Sequence, residues 1–111
     1  MKKDDDPEVL TAPTAIDASD ITNEGFTANW NTSSGANDYE LDVATDNNFS
    51  NIVKSLKNLA PSSTAIDNLE DNTEYFYRLR ATLNGGSPSA NSNTISLITM
   101  PDSPVATEAR I

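Results

Sequence analysis

The best hint of catalysis in this chain is a set of carboxylates at every second position, Asp38, Glu40 and Asp42. Along an extended strand such residues share one face and sit about 6.6–6.8 Å apart. That separation falls inside the roughly 6.5–9.5 Å that inverting glycosidases leave between acid and base. Any strand supplies this spacing, however, and an open sheet face supplies no pocket around it. The spacing is also too wide for two of them to share one calcium ion, whose ligands lie at about 2.3–2.6 Å, unless loops help. Two other oxygen-rich stretches, Asp4-Asp5-Asp6 and Asp46-Asn47-Asn48, lack the Asp-x-Asp-x-Asp-Gly pattern of a calcium loop.

The chain has no histidine and no cysteine. The commonest general base, the usual triad partner, the thiolate nucleophile and the commonest transition-metal ligands are therefore all missing. Glycan binding needs exposed rings on which sugar faces stack. Of the rings, Phe26, Trp30, Tyr39, Tyr75 and Tyr77 fall at inward positions. Phe76 is the one ring expected on a wet face, and Phe49 is expected to cap the sandwich beneath its loop. The sequons at Asn31 and Asn48 matter only in a host that glycosylates. No catalytic, cofactor-binding or metal-ligating residue is assigned, and no cofactor is expected.

Those side chains must be carried by strands. From Tyr75 to Ala81 every second residue is apolar, with Phe76, Arg78 and Arg80 between them, the pattern of a strand buried on one face. Leu69 precedes it across a polar bend, residues 70–74. A leucine, a bend and a tyrosine opening a strand read as a tyrosine corner, in which the hydroxyl is expected to satisfy a backbone acceptor just upstream. Phe26, Ala28 and Trp30 alternate in the same way, as do Tyr39, Leu41 and Val43, and then Ile95 and Leu97. Residues 13–21 read as a weak strand with Ile16, Ala18 and Ile21 inward. Ile66 is the inward residue of a short strand at 64–67, and residues 52–59 form a strand whose alternation is too poor to fix its facing. Asn23-Glu24-Gly25, the stretch around Gly35, and Asn84-Gly85-Gly86-Ser87-Pro88 are turns. Seven short strands and no helical period predict an all-β sandwich.

One domain accommodates 111 residues. With 17 acidic and 7 basic residues the net charge is −10, which argues against nucleic acid and against anionic membrane surfaces. No apolar run approaches the ~20 residues of a membrane helix, and Met1-Lys2-Lys3 leads into Asp4-Asp5-Asp6 rather than a signal-peptide core.

The sequence resembles the fibronectin type III family. The resemblance rests on Pro13 before the first strand, Trp30, the Tyr39-Glu40-Leu41-Asp42-Val43 strand, Leu69, Thr73 and Tyr75 at the corner, Ala81, and Ser92-Asn93 before the seventh strand. It implies a seven-stranded fibronectin type III or immunoglobulin-like sandwich over residues 13–101, with residues 1–12 as a flexible leader. Asp71 stands where the family often has proline, and the loop before the last strand lacks an Arg-Gly-Asp tripeptide. In that fold Arg78 and Arg80 lie beside the carboxylates, favouring their ionised forms and opposing a general acid. The wording Gly25-Phe26-Thr27-Ala28-Asn29-Trp30 looks like modules of bacterial secreted or surface proteins.

Pro13-Thr14-Ala15-Ile16-Asp17-Ala18 is echoed by Pro104-Val105-Ala106-Thr107-Glu108-Ala109, about 90 residues on. Residues 102–111 therefore read as a linker and the start of a next repeat. The expectation is a non-catalytic spacer or adhesion unit of a larger exported bacterial protein, located outside the cell or on its surface. The alternative is a module, attached to a secreted carbohydrate-active enzyme, that binds a protein or polysaccharide, using loops near residues 35–38 and 84–90. Its partners would be neighbouring domains of the same chain, and the module itself a monomer. Lys54, Lys57, Arg78 and Arg80 all fall on one expected sheet, leaving Thr27, Asn29, Asn31 and Asp67 on the other without a cation.

Overall fold

The computed structural model describes residues 10–83 and 87–101. The repeat echo at 104–109, most of the leader, and the turn at 84–86 lie outside the described residues. Seven strands form two antiparallel sheets, and the described residues contain no helix. The strands are β1 (Thr14–Ser19), β2 (Phe26–Asn31), β3 (Asp38–Ala44), β4 (Ile52–Leu59), β5 (Ser63–Ile66), β6 (Glu74–Thr82) and β7 (Ile95–Ile98). One sheet runs β1-β2-β5 and the other β4-β3-β6-β7. This is the sandwich the alternation predicts.

Trp30, Tyr39, Leu41, Val43, Tyr77, Leu79 and Ala81 are fully enclosed between the sheets. Phe26 stacks on Tyr77 with ring centroids 5.4 Å apart, and Trp30 tilts against Tyr39 at 5.7 Å. Each tyrosine also uses its hydroxyl. Tyr39 accepts the Ser33 N–H at 3.0 Å, Tyr75 accepts the Glu70 N–H at 2.9 Å, and Tyr77 donates across the sandwich to the Ile16 carbonyl. Burial pushes the Tyr77 phenol above its ordinary value. The corner forms as expected, with one correction: the hydroxyl satisfies a backbone donor at Glu70, not an acceptor. Gly25 is required beside it, because a Cβ there would lie 1.9 Å from the Ile66 carbonyl oxygen.

Three expectations need correction. Ile16 does not point inward; it is 41% exposed, while Ala15, paired with Trp30, is buried. A register shift between Ile16 and Ser19 then returns Ala18 to the core, so strict alternation fails on this strand. Leu10, counted with the leader, is only 9% exposed and joins the core, so packing begins ahead of Pro13. Phe49 is buried but lies outside the core cluster, on the outer face beneath the Arg78 guanidinium, 4.2 Å from its ring centroid.

The poor alternation of residues 52–59 has a physical cause. β4 pairs with β3 through two register shifts, one between Tyr39 and Leu41 and one between Val43 and Ala44. Asn58 adopts φ 56° beside the first, which lets Leu56 and Leu59 both reach the core despite their odd spacing. Ahead of the second, in unbroken register from Leu56, Lys54 stands opposite inward-facing Val43.

Candidate functional site

Register puts Glu40 opposite Arg80 and Asp42 opposite Arg78 on the outer face of β3 and β6. Arg80 spans both carboxylates, with Nη1 at 2.7 Å from Asp42 Oδ2 and Nη2 at 3.1 Å from Glu40 Oε1. Arg78 Nε approaches Asp42 Oδ2 at 3.3 Å, and the Ser55 hydroxyl donates to Asp42 Oδ1 at 3.1 Å. Burial alone would raise the Asp42 pKa, but the hydrogen bonds and charges of Arg80, with Ser55 and Arg78, carry it below the usual carboxylate value. Arg80 is shifted upward chiefly by its bond to Asp42. A general acid needs the opposite shift. The structure thus brings Glu40 and Asp42 together through Arg80 as an ion-paired surface and leaves Asp38 outside that network.

Asp46 is also committed. Its carboxylate accepts the Ser50 hydroxyl at 2.7 Å and the Ser50 and Asn51 amides at 3.1 and 2.9 Å. These bonds, led by the Ser50 hydroxyl, lower its pKa. They also turn residues 45–51 into a compact loop that holds Phe49 at φ 56°, a conformation costly for a bulky residue. Among the described residues no group of three His, Cys, Asp or Glu is placed to hold a metal. Phe76 is half-buried on the outer face, and no second exposed ring accompanies it.

The two ends of the described segment form the other candidate. Leu10 lies beside Gly35, in the loop at the end of β2 where β3 begins. At the other end of β2 the Met100 N–H donates to the Thr22 carbonyl at 2.9 Å, and the Met100 carbonyl accepts the Asn72 N–H at 3.0 Å. Thr99, 1% exposed, braces this departure: its hydroxyl accepts the Thr73 N–H at 3.0 Å and donates to the Glu70 carbonyl at 2.6 Å. Near the start, the Asn93 carboxamide pairs with both backbone groups of Ala15, at 2.8 and 3.0 Å, standing in for an absent strand ladder. The Ser89 and Ser92 hydroxyls likewise accept the Ala81 and Leu79 amides, each at 2.9 Å. The sequence reading missed Thr99. Its one signal was the period of two, which continues inward from Ile95 and Leu97 to position 99.

Between β4 and the corner before β6 the sandwich opens into a cleft of about 460 Å³, lined by Val53, Lys54, Asn68, Leu69, Glu70 and Tyr75 among others. No residue of it was singled out from the sequence as a ligand contact.

The described residues contain no helix long and apolar enough to cross a membrane. The family model for the fibronectin type III domain matches residues 11–96, and a comparison with curated proteins returned no match. Among solved structures, the chain is similar to a β-1,2-glucanase from Parabacteroides distasonis, at 17% identity and TM-score 0.67, over 85% of this chain and 13% of that one. It is similar to titin domains A168–A170 at 18% identity and TM-score 0.70, over 83% and 32%. The fibronectin type III domain of the human collagen alpha-1(XX) chain aligns at 18% identity and TM-score 0.69, over 96% and 100%. The chain thus spans a small part of the first two and the whole of the third. With the family model covering most of its length, and with two sheets joined through a tyrosine corner, this chain belongs to the fibronectin type III domain family.

Proposed function

We propose that this domain is a non-catalytic spacer that holds neighbouring modules of an exported bacterial protein at a fixed separation. One observation carries the reading: the described chain begins and ends at opposite ends of β2, and side chains and backbone bonds tie down both ends. A module joined in this way adds its length to the parent protein rather than folding back. A strand of six residues spans about 20 Å, a lower bound on that contribution. The strongly acidic surface suits the role, because self-repulsion keeps a concentrated array from associating. The glucanase supplies a precedent of form alone, a domain of this fold occupying a small share of a larger chain.

Spin labels at Thr11→Cys and Pro101→Cys would test the reading. The expected result is a single narrow distance distribution beyond about 20 Å. A broad distribution, or one centred well below that distance, would overturn it. Binding of a soluble polysaccharide tighter than about 10 μM, roughly 7 kcal/mol, would replace the spacer with the alternative of a binding module.

A further inference from the structure

We infer that the cleft between β4 and the corner before β6 is a low-affinity site for a sugar carboxylate, as in a uronic acid residue of an acidic saccharide. The first observation is Lys54. Two residues from Leu56 in unbroken register and opposite inward-facing Val43, it stands on the inner side of an edge strand, where it lines this cleft and a smaller one of about 120 Å³ along the same edge. It is half-buried, and its ammonium has no carboxylate partner among the described residues, whereas Arg78 and Arg80 are both ion-paired. In a chain with 17 acidic residues a partnerless, partly desolvated cation stands out.

The second observation is Tyr75, which lines the same cleft while only 3% exposed. Its oxygen accepts the Glu70 N–H, but its own proton has no acceptor among the described residues. An unpaired ammonium lining the cleft, with Tyr75 beside it, calls for an anionic oxygen group. One cation matches a monoanion, and exposed Glu70 would repel a phosphate dianion more strongly than a singly charged carboxylate, the sugar anion assigned to the cleft. Asn51 and Asn68 add neutral polar groups suited to vicinal hydroxyls, while Leu69 supplies apolar floor. The volume is within the range of small-ligand sites. Glu70 can accept from a sugar hydroxyl, yet it offsets part of the Lys54 field and keeps binding weak.

The test is a titration of the ¹⁵N-labelled full chain with glucuronate, glucose and acetate, followed through backbone amide shifts. Glucuronate is expected to shift the amides of Asn51, Lys54, Asn68 and Glu70 saturably, with a Kd on the order of 1–10 mM. Lys54→Gln should weaken this at least about fivefold, while Lys57→Gln, the same charge loss at an exposed position of the same strand, should change it less than about twofold. An unchanged spectrum away from the cleft will show that both variants fold. Glucose matching glucuronate, no saturation by about 50 mM, or the two lysine variants behaving alike would overturn the proposal. Acetate binding as tightly as glucuronate would overturn it too, by reducing the cleft to a bare anion site.

Discussion

On the inner face of β6, Tyr75, Tyr77, Leu79 and Ala81 are shut between the sheets, while Phe76, Arg78 and Arg80 on its outer face remain half-exposed. Both faces are well bonded, but the bonds differ in what replaces them when broken. Outside, water and counter-ions substitute for a lost ion pair, so each contact is worth little. Inside nothing substitutes: a missing ring leaves a cavity and a missing hydroxyl leaves a buried amide without a partner. The inner face therefore specifies one geometry, and the outer face tolerates many. The cleft at Lys54 lies at the boundary, where an inner-side position is wet enough to carry charge.

Substitutions can break this contrast in order of size. Trp30→Ala, on the facing sheet against Tyr39, should cost about 3–5 kcal/mol in denaturant unfolding, and an unchanged midpoint would remove Trp30 from the core. Tyr75→Phe should cost about 1–3 kcal/mol, the desolvation cost of the Glu70 amide it abandons. A cost under about 0.5 kcal/mol would mean that water replaces the hydroxyl and that the corner belongs with the outer face.

On the outer face, Arg80→Ala should cost about 1–2 kcal/mol, between exposed and buried pairs, because Asp42 is largely buried beneath a partly exposed Arg80. The same network gives a pH signature. Folded Asp42 holds its proton less tightly than unfolded Asp42, so its contribution is complete above about pH 4. It is lost as the pH falls through the lower folded value. Asp42→Asn should flatten that part of the acid limb in pH-dependent urea unfolding, and an unaltered slope would show that Asp42 is not the group responsible. The smallest effect belongs to Ile16→Thr, within about 0.5 kcal/mol, since its side chain stands in solvent. A loss above about 1.5 kcal/mol would return Ile16 to the core.

The sequence by itself determined the strands, the inward faces of β2, β3, β6 and β7, and the tyrosine corner. Each follows from a period of two, or from residue types whose local chemistry leaves few choices. It also placed Arg78 and Arg80 beside Glu40 and Asp42, once the resemblance made β3 and β6 neighbours. Tertiary structure alone decided what depends on register. Pairing with β2 buried Ala15 opposite Trp30 and exposed Ile16 opposite Asn29, and the shift in β1 returned Ala18 inward. The first shift in β4 set Leu56 and Leu59 both inward, with Lys54 following Leu56 on that side. A bulge is one residue's difference between two paired strands, and neither strand records it alone. The bonds of Thr99, Asn93 and the crossing hydroxyl of Tyr77 were illegible because their partners, Glu70, Ala15 and Ile16, lie 29, 78 and 61 residues away.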